Sequence, residues 1–168
     1  MRLYRICHEA NISRKHSLHI AQKGLHKMFT FKQSNSLKIK LSPTQLLQLS
    51  SEETLANAFK CEPVIAFDIY NDDTIIAFAL LRNCDDGYFL WDFAVDTEYQ
   101  NKGYGYAILK ELINILKSQF NANWITTTYK YGNTAAKHLY EKLGFNETDV
   151  VNENGIHEVN MVLNLKKT

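Results

Sequence analysis

With 168 residues, 45% of them hydrophobic and 12% aromatic, and only two prolines, the chain has the size and composition of one folded domain, not of a disordered, collagen-like or repeat-built protein. Its three widely spaced cysteines, Cys7, Cys61 and Cys84, form no CxxC pair, which argues against a disulfide framework, a zinc ribbon or a dithiol redox motif and for free thiols in a reducing compartment. The net charge of +1 hides a division: residues 1–40 carry nine Lys or Arg and one acid, the remainder ten Lys or Arg and seventeen acids, so an acidic body that favours cations carries a basic stretch that meets phosphates or simply neutralises that body.

No apolar leader opens the sequence, and the longest apolar run, residues 75–81, is too short to cross a bilayer; a soluble, cytoplasmic protein without membrane contact is expected. Residues 3–6 suit a first strand, and Leu18, Ala21, Leu25 and Met28 recur as on an amphipathic helix. His16, His19 and His26 lie nearby, but no acid or cysteine completes a metal set, so they are expected to be solvated and no metal is expected. SLKIKL alternates as a strand does, and Ser50 and Glu53 have the spacing of a capping box before a short helix through Phe59. From Pro63 onward VIAFDIY, TIIAFALLR and YFLWDFAV, separated by NDD and NCDDG, predict an antiparallel meander. Cys84 falls in the second turn, with no histidine beside it to activate a thiol, and is given no nucleophilic role.

Next comes DTEYQNKGYGYAILKEL, with Gly103 and Gly105 opening a helix on which Ile108, Leu109, Leu112, Ile115 and Leu116 recur at helical spacing. WITTTY is a further strand. Ala136, Leu139, Tyr140 and Leu143 fall at i, i+3, i+4 and i+7, and Gly144 follows where a helix needs a left-handed stop. NETDVV and IHEVNMVLNL close the chain as a hairpin whose turn contains Asn154 and Gly155. Strand, glycine loop, helix, strand and helix in this order make an α/β domain.

Two glycines one residue apart between strand and helix leave two readings open. One is a plain tight turn. The other is an anion cradle, in which successive amides and the unpaired N–H groups of the new helix face a phosphate. A dinucleotide fingerprint would need glycine where Ile108 stands, and a Walker loop would need GK followed by Ser or Thr.

QNKGYG resembles the diphosphate-binding signature of the GNAT N-acetyltransferases, and GNTAAKHLYEKLGF, residues 132–145, is similar to the family segment lining the pantetheine arm of acetyl-CoA. The likeness runs from about residue 63 to 165; within the family, FLWDFAV, TTTYKYGN and LYEKLGF look nearest the spermidine/spermine branch, and SPTQLL and SSEETLANA faintly resemble the same region of polyamine acetyltransferases. The resemblance implies one GNAT domain over residues 1–168, with residues 1–50 its basic N-terminal part. It implies a mixed, mostly antiparallel sheet of six to seven strands, flanked by helices and splayed after the fourth.

The same resemblance implies site residues. Acetyl-CoA would be the co-substrate, held by the backbone of Gln100, Asn101, Lys102, Gly103, Tyr104, Gly105 and Tyr106, by strand pairing with Phe93, Ala94 and Val95, and by Asn133, with the small Ala136 giving the arm room. Tyr140 would protonate the leaving thiolate. Asp92 would help deprotonate the amine, directly or through water, because related diamine enzymes have a second acid where this chain has Trp91. Trp91, Asp92 and Thr127 would line the acceptor site, and Trp91 could hold a cation on its ring face. The expected acceptor is a small cationic amine, a polyamine or diamine; a peptide or protein amine, an aminoglycoside, or a non-catalytic acetyl-CoA sensor are the alternatives. A homodimer is implied by the family alone. No nucleic-acid partner is expected, since residues 1–40 lack interleaved aromatic and basic residues.

Overall fold

The computed structural model describes residues 29–61, 63–153 and 155–166. The strand and helix expected before residue 29, Cys7, the three early histidines and Asn154 lie outside them.

The described elements run β1 (Phe29–Gln33), α1 (Pro43–Leu46), α2 (Glu52–Cys61), β2 (Val64–Asn71), β3 (Thr74–Cys84), β4 (Gly87–Val95), α3 (Tyr104–Gln119), β5 (Trp124–Lys130), α4 (Thr134–Lys142), β6 (Asn146–Glu153) and β7 (Ile156–Asn164), with a 3-10 turn, Thr97–Tyr99, before α3. They form one seven-stranded sheet in the order β1-β2-β3-β4-β5-β7-β6. Every neighbouring pair is antiparallel except β4 and β5. A parallel pair needs a crossover, and α3 supplies it. This is the α/β architecture that the glycine-loop resemblance implies.

Each face of the sheet buries its own cluster. On one, Ile69, Ala79, Leu81 and Leu90 pack against Ile108, Leu109, Leu112 and Leu116 of α3 and Tyr140 of α4; on the other, Ile39, Leu55 and Ala58 pack against Ala66, Phe78, Leu80 and Ala94. The predicted α3 stripe is the buried stripe. The meander turns through two-residue loops whose first residues, Asp72 and Asp85, stand at φ 54° and 53°, a region short polar side chains tolerate.

Two expectations fail for identifiable reasons. SLKIKL is not a strand: Ile39 is buried and Leu37 and Leu41 pack beside it, which accounts for the alternation, but its backbone bonds go to a loop instead of a ladder. Lys40 N–H donates to Asp96 Oδ2 at 2.8 Å, and Lys40 C=O accepts from Thr97 N–H at 3.0 Å. The actual strand is FTFKQ, β1, with Phe29 and Phe31 buried. The helix cap also shifts: α2 begins at Glu52, and Ser51 Oγ, not Ser50, accepts from Thr54 N–H at 3.1 Å. A complete capping box stands upstream, where Ser42 and Gln45 of SPTQ bond reciprocally.

β4 and β5 pair only through residues 87–90 and 124–127. Beyond that point β5 stays with β7 while β4 continues along β3, so the sheet opens into a V after its fourth strand. The first rung is fixed by Gly87, where a Cβ would come within 2.2 Å of the Trp124 ring.

Candidate active site

At the mouth of the V, β4 changes phase. Leu80 pairs with Asp92 and Leu81 with Leu90, so Trp91 is the extra residue of a β-bulge. Tyr88 and Leu90 belong to the α3 face; after the bulge Phe93 and Val95 do so, while Trp91 and Ala94 join the opposite cluster. Trp91 and Asp92 thereby follow each other on the α2 face, and Trp91 stacks obliquely on Phe89 with centroids 6.2 Å apart. Asp92 is 5% exposed. Its Oδ1 accepts from Ser50 N–H at 3.0 Å, and its Oδ2 is buried without a partner among the described residues. Burial pushes this carboxyl above the usual carboxylate range, opposed by the Ser50 bond and the charge of Lys130.

Tyr140 comes from the other face. It is the third residue from the end of α4, where Phe145 N–H donates to Tyr140 C=O at 3.0 Å and Gly144 N–H to Glu141 C=O at 2.9 Å. Gly144 has φ 92°, the left-handed stop predicted for it, and the rings of Tyr140 and Phe145 meet at 5.5 Å. This Schellman ending fixes both the helix and its tyrosine. The phenol is buried and pushed up from its ordinary pKa, first by burial and then by the negative charge of Asp92, with the Thr127 side chain beside it acting in the opposite sense. Thr127 Oγ1 donates to Leu90 C=O at 3.0 Å, closing the last rung before the V. Asp92, Thr127 and Tyr140 therefore converge where the strands part, with the acid and the phenol both protonated more readily than in water.

The glycine loop stands at the same end of the sheet. Asn101 and Gly103 have φ 58° and 82°, and Gly103 caps α3 with no side-chain hydrogen bond. The first-turn N–H groups of Tyr104, Gly105 and Tyr106 thus point out of a helix end that no described side chain covers. Gly105 packs closely: a Cβ there would lie 3.6 Å from Leu139, 3.7 Å from Val95 and 3.8 Å from Phe93. The Tyr104 ring is committed to edge contacts with Phe29 and Tyr99, leaving its backbone for a ligand. Lys102 Nζ donates to Glu98 C=O at 2.7 Å.

Between loop and bulge, Val95 C=O accepts from Gln45 Nε2 at 2.8 Å and from Gln100 Nε2 at 3.2 Å. Residues 45–50 cross the V as a strap: Lys130 Nζ of β5 donates to Leu47 C=O, and Asn133 Nδ2 to Gln48 Oε1 at 3.2 Å. Asn133 also caps α4, its Oδ1 accepting from Ala136 N–H at 3.1 Å. Gln45, Lys130 and Phe145 were not singled out from sequence, and Ser50 was expected only as a helix cap. For Phe145 a signal was available, since an aromatic directly after a helix-ending glycine is the usual partner of a residue one turn back.

Among the described residues no group of three His, Cys, Asp or Glu could hold a metal ion, and no helix is long and apolar enough to cross a membrane. An uncovered helix N-terminus at the end of a V-shaped opening, with β4 backbone along one side, fits a long anionic ligand carrying amides.

Residues 32–145 match the model of the Acetyltransferase (GNAT) family. The chain is 36% identical over 101 residues to the ribosomal protein bS18-alanine N-acetyltransferase of Escherichia coli K12, a stretch covering 60% of this chain and 66% of that enzyme. The crystal structure of the E. coli ribosomal-protein-S18-alanine N-acetyltransferase superposes with TM-score 0.62 at 26% identity, over 84% of this chain and 96% of that one. A GNAT family acetyltransferase from Elizabethkingia anophelis with acetyl-CoA bound gives TM-score 0.63 at 22% identity, over 82% and 98% of the two chains. Spermidine N-acetyltransferase from Vibrio cholerae, in complex with CoA and spermine, gives 0.57 at 18% identity over 67% and 72%. These last two likenesses extend to the fold alone. The polyamine branch suggested by FLWDFAV and LYEKLGF thus gains the fold only, whereas the bS18-alanine enzymes share sequence as well.

Proposed function

We propose that this chain, which belongs to the GNAT acetyltransferase family, transfers acetyl from acetyl-CoA to a primary amine carried by a peptide or protein. The observation that carries the chemistry is the buried Asp92, one oxygen unpartnered among the described residues, near enough to the buried Tyr140 for its charge to raise the phenol's pKa. In this reading, backbone amides of residues 101–106 hold the diphosphate. Gln45 yields Val95 C=O to the pantetheine amides, and Asn133 bonds the same arm. A peptide α-ammonium with pKa ~7.7–8.0 is neutral in roughly one part in ten at pH 7, which costs about 1 kcal/mol, whereas a lysine or polyamine ammonium with pKa ~10.4 costs about 4–5 kcal/mol. Asp92 takes that proton directly or through water, and its raised pKa brings it nearer the working pH than an ordinary carboxylate. A backbone N–H near Ala94 or Val95 meets the developing oxyanion. Tyr140, held neutral by burial, gives its proton to the departing thiolate.

For the acceptor, the exposed apolar side chains favour a peptide: Leu46 and Leu47 on the strap are 58% and 70% exposed, and Tyr131, next to Lys130, is 66% exposed and stacked on His157. The likeness to bS18-alanine acetyltransferases agrees with an N-terminal amine. A polyamine is the second reading, favoured by the unpartnered Asp92 oxygen, which suits a cation. CoA release is to be measured with peptides bearing N-terminal alanine, with spermidine and putrescine, and with an aminoglycoside. Turnover of peptides alone is expected, with Tyr140→Phe lowering kcat about a hundredfold or more. Turnover of polyamines alone would overturn the acceptor, and an unchanged Tyr140→Phe rate would overturn the acid.

A further inference from the structure

The outer side of the glycine loop carries a second cationic feature that the diphosphate cradle leaves unused. Tyr106, the third residue of α3, is flanked by two ammonium groups from different helices. Lys142 Nζ, from the last turn of α4, stands 4.6 Å from the centre of its ring, and Lys110 Nζ stands 6.0 Å from the same centre. Helical side chains lean toward the N-terminus, so Lys110, one turn further along α3, is carried back over the ring toward the cradle. Among the described residues neither lysine forms a salt bridge, whereas the neighbouring Lys137 is held by Glu141 and Glu147. Lys102 is occupied elsewhere, on Glu98 C=O and over Tyr99.

Each exposed cation on a ring gains only about 0.5–1 kcal/mol, and two like charges on one ring repel. A dianion between them relieves that repulsion. Coenzyme A has one to offer: besides its diphosphate it carries a phosphate monoester on the ribose, one sugar ring away. Tyr106 contributes its N–H to the cradle and its ring to the lysines, so a nucleotide whose diphosphate lies on the α3 amides can bring the monoester to the pair.

Resting on the acetyl-CoA reading above, we propose that Lys110 and Lys142, gathered on Tyr106, bind the ribose 3′-phosphate of coenzyme A and make the enzyme select it over 3′-dephospho-coenzyme A. Isothermal titration of the full chain with CoA and with 3′-dephospho-CoA at low salt tests this. The wild type is expected to bind CoA about tenfold tighter, the lower end of what charge-assisted hydrogen bonds contribute at an exposed site. In the double variant Lys110→Gln, Lys142→Gln the preference should fall to about one, with affinity for the dephospho form changed by less than about twofold. Lys117→Gln, also exposed on α3, should keep the full preference. Equal wild-type affinity for the two ligands, or an equal loss for both in the double variant, would sink the phosphate assignment while leaving acetyl-CoA as co-substrate. Failure of the wild type to bind either would remove the co-substrate reading and this assignment together.

Discussion

Asp92 is the residue whose chemistry depends most on its surroundings. Its position in LWDFAV made it a candidate from sequence, but its burial and the single Ser50 contact follow from the bulge at Trp91, which no pattern in the sequence announces. Burial raises its folded pKa, so the folded chain binds this proton more tightly than the unfolded one. The stabilisation from that proton is therefore complete below the unfolded value of about 3.9 and lost as pH rises through the raised folded value. Once ionised, Asp92 is a cost in stability, because its buried Oδ2 has no partner among the described residues. Asp92→Asn retains an oxygen for Ser50 N–H and removes the titration. It should flatten the stability decline in that window, measured by urea unfolding, and lower kcat/KM about a hundredfold. The acid limb of the rate profile should vanish, leaving only the dependence set by the peptide α-amine near ~7.7–8.0. Persistence of that limb would assign it to another group.

Periodic elements were readable because each buries one face against one neighbour. The α3 stripe, the α4 stripe with its Gly144 stop and the three-strand meander all appear where spacing put them. SLKIKL shows the converse, since alternate burial without a ladder partner leaves the same imprint as a strand. The strap was hidden because its contacts are single hydrogen bonds to residues more than forty positions away. The paired glycines were legible as a motif but not in their division of labour. Gly103 has φ 82° and nothing within 4 Å of where a Cβ would stand; Gly105 has an ordinary helical φ and neighbours at 3.6–3.8 Å. Gly103→Ala should thus cost about 1–2 kcal/mol of left-handed strain and weaken CoA binding by turning the loop amides. Gly105→Ala should keep near-wild-type affinity, since its methyl meets only van der Waals contacts. Reversed sensitivities in a CoA titration would contradict a backbone cradle at Gly103.

At the scale of the molecule, two clusters on opposite faces of one sheet flank an opening in its middle, which the strap of residues 45–50 crosses. β4 is held by β3 throughout, β5 by β7, and past residue 90 their direct ladder ends. The strap closes the opening through Val95 C=O and Leu47 C=O, the first of which is assigned above to the pantetheine arm. Ligand binding then has two effects of opposite sign. A ligand that joins α3, β4 and α4 stabilises the whole fold by about 2.7 kcal/mol at a hundredfold excess over Kd, which for a chain of this size is a rise of about 5–10 °C in Tm. The proposed pairing of the arm with Val95 C=O would take that carbonyl from Gln45, the residue whose side chain also completes the α1 capping box and meets Thr97. The short α1 helix has no buried residue of its own to hold it once Gln45 moves. Hydrogen exchange should therefore show Leu46 and Leu47 amides exchanging faster with CoA bound while scanning calorimetry shows a higher Tm. Slower exchange at both amides would mean that the arm passes without disturbing Gln45, and Val95 C=O would no longer be one of its partners.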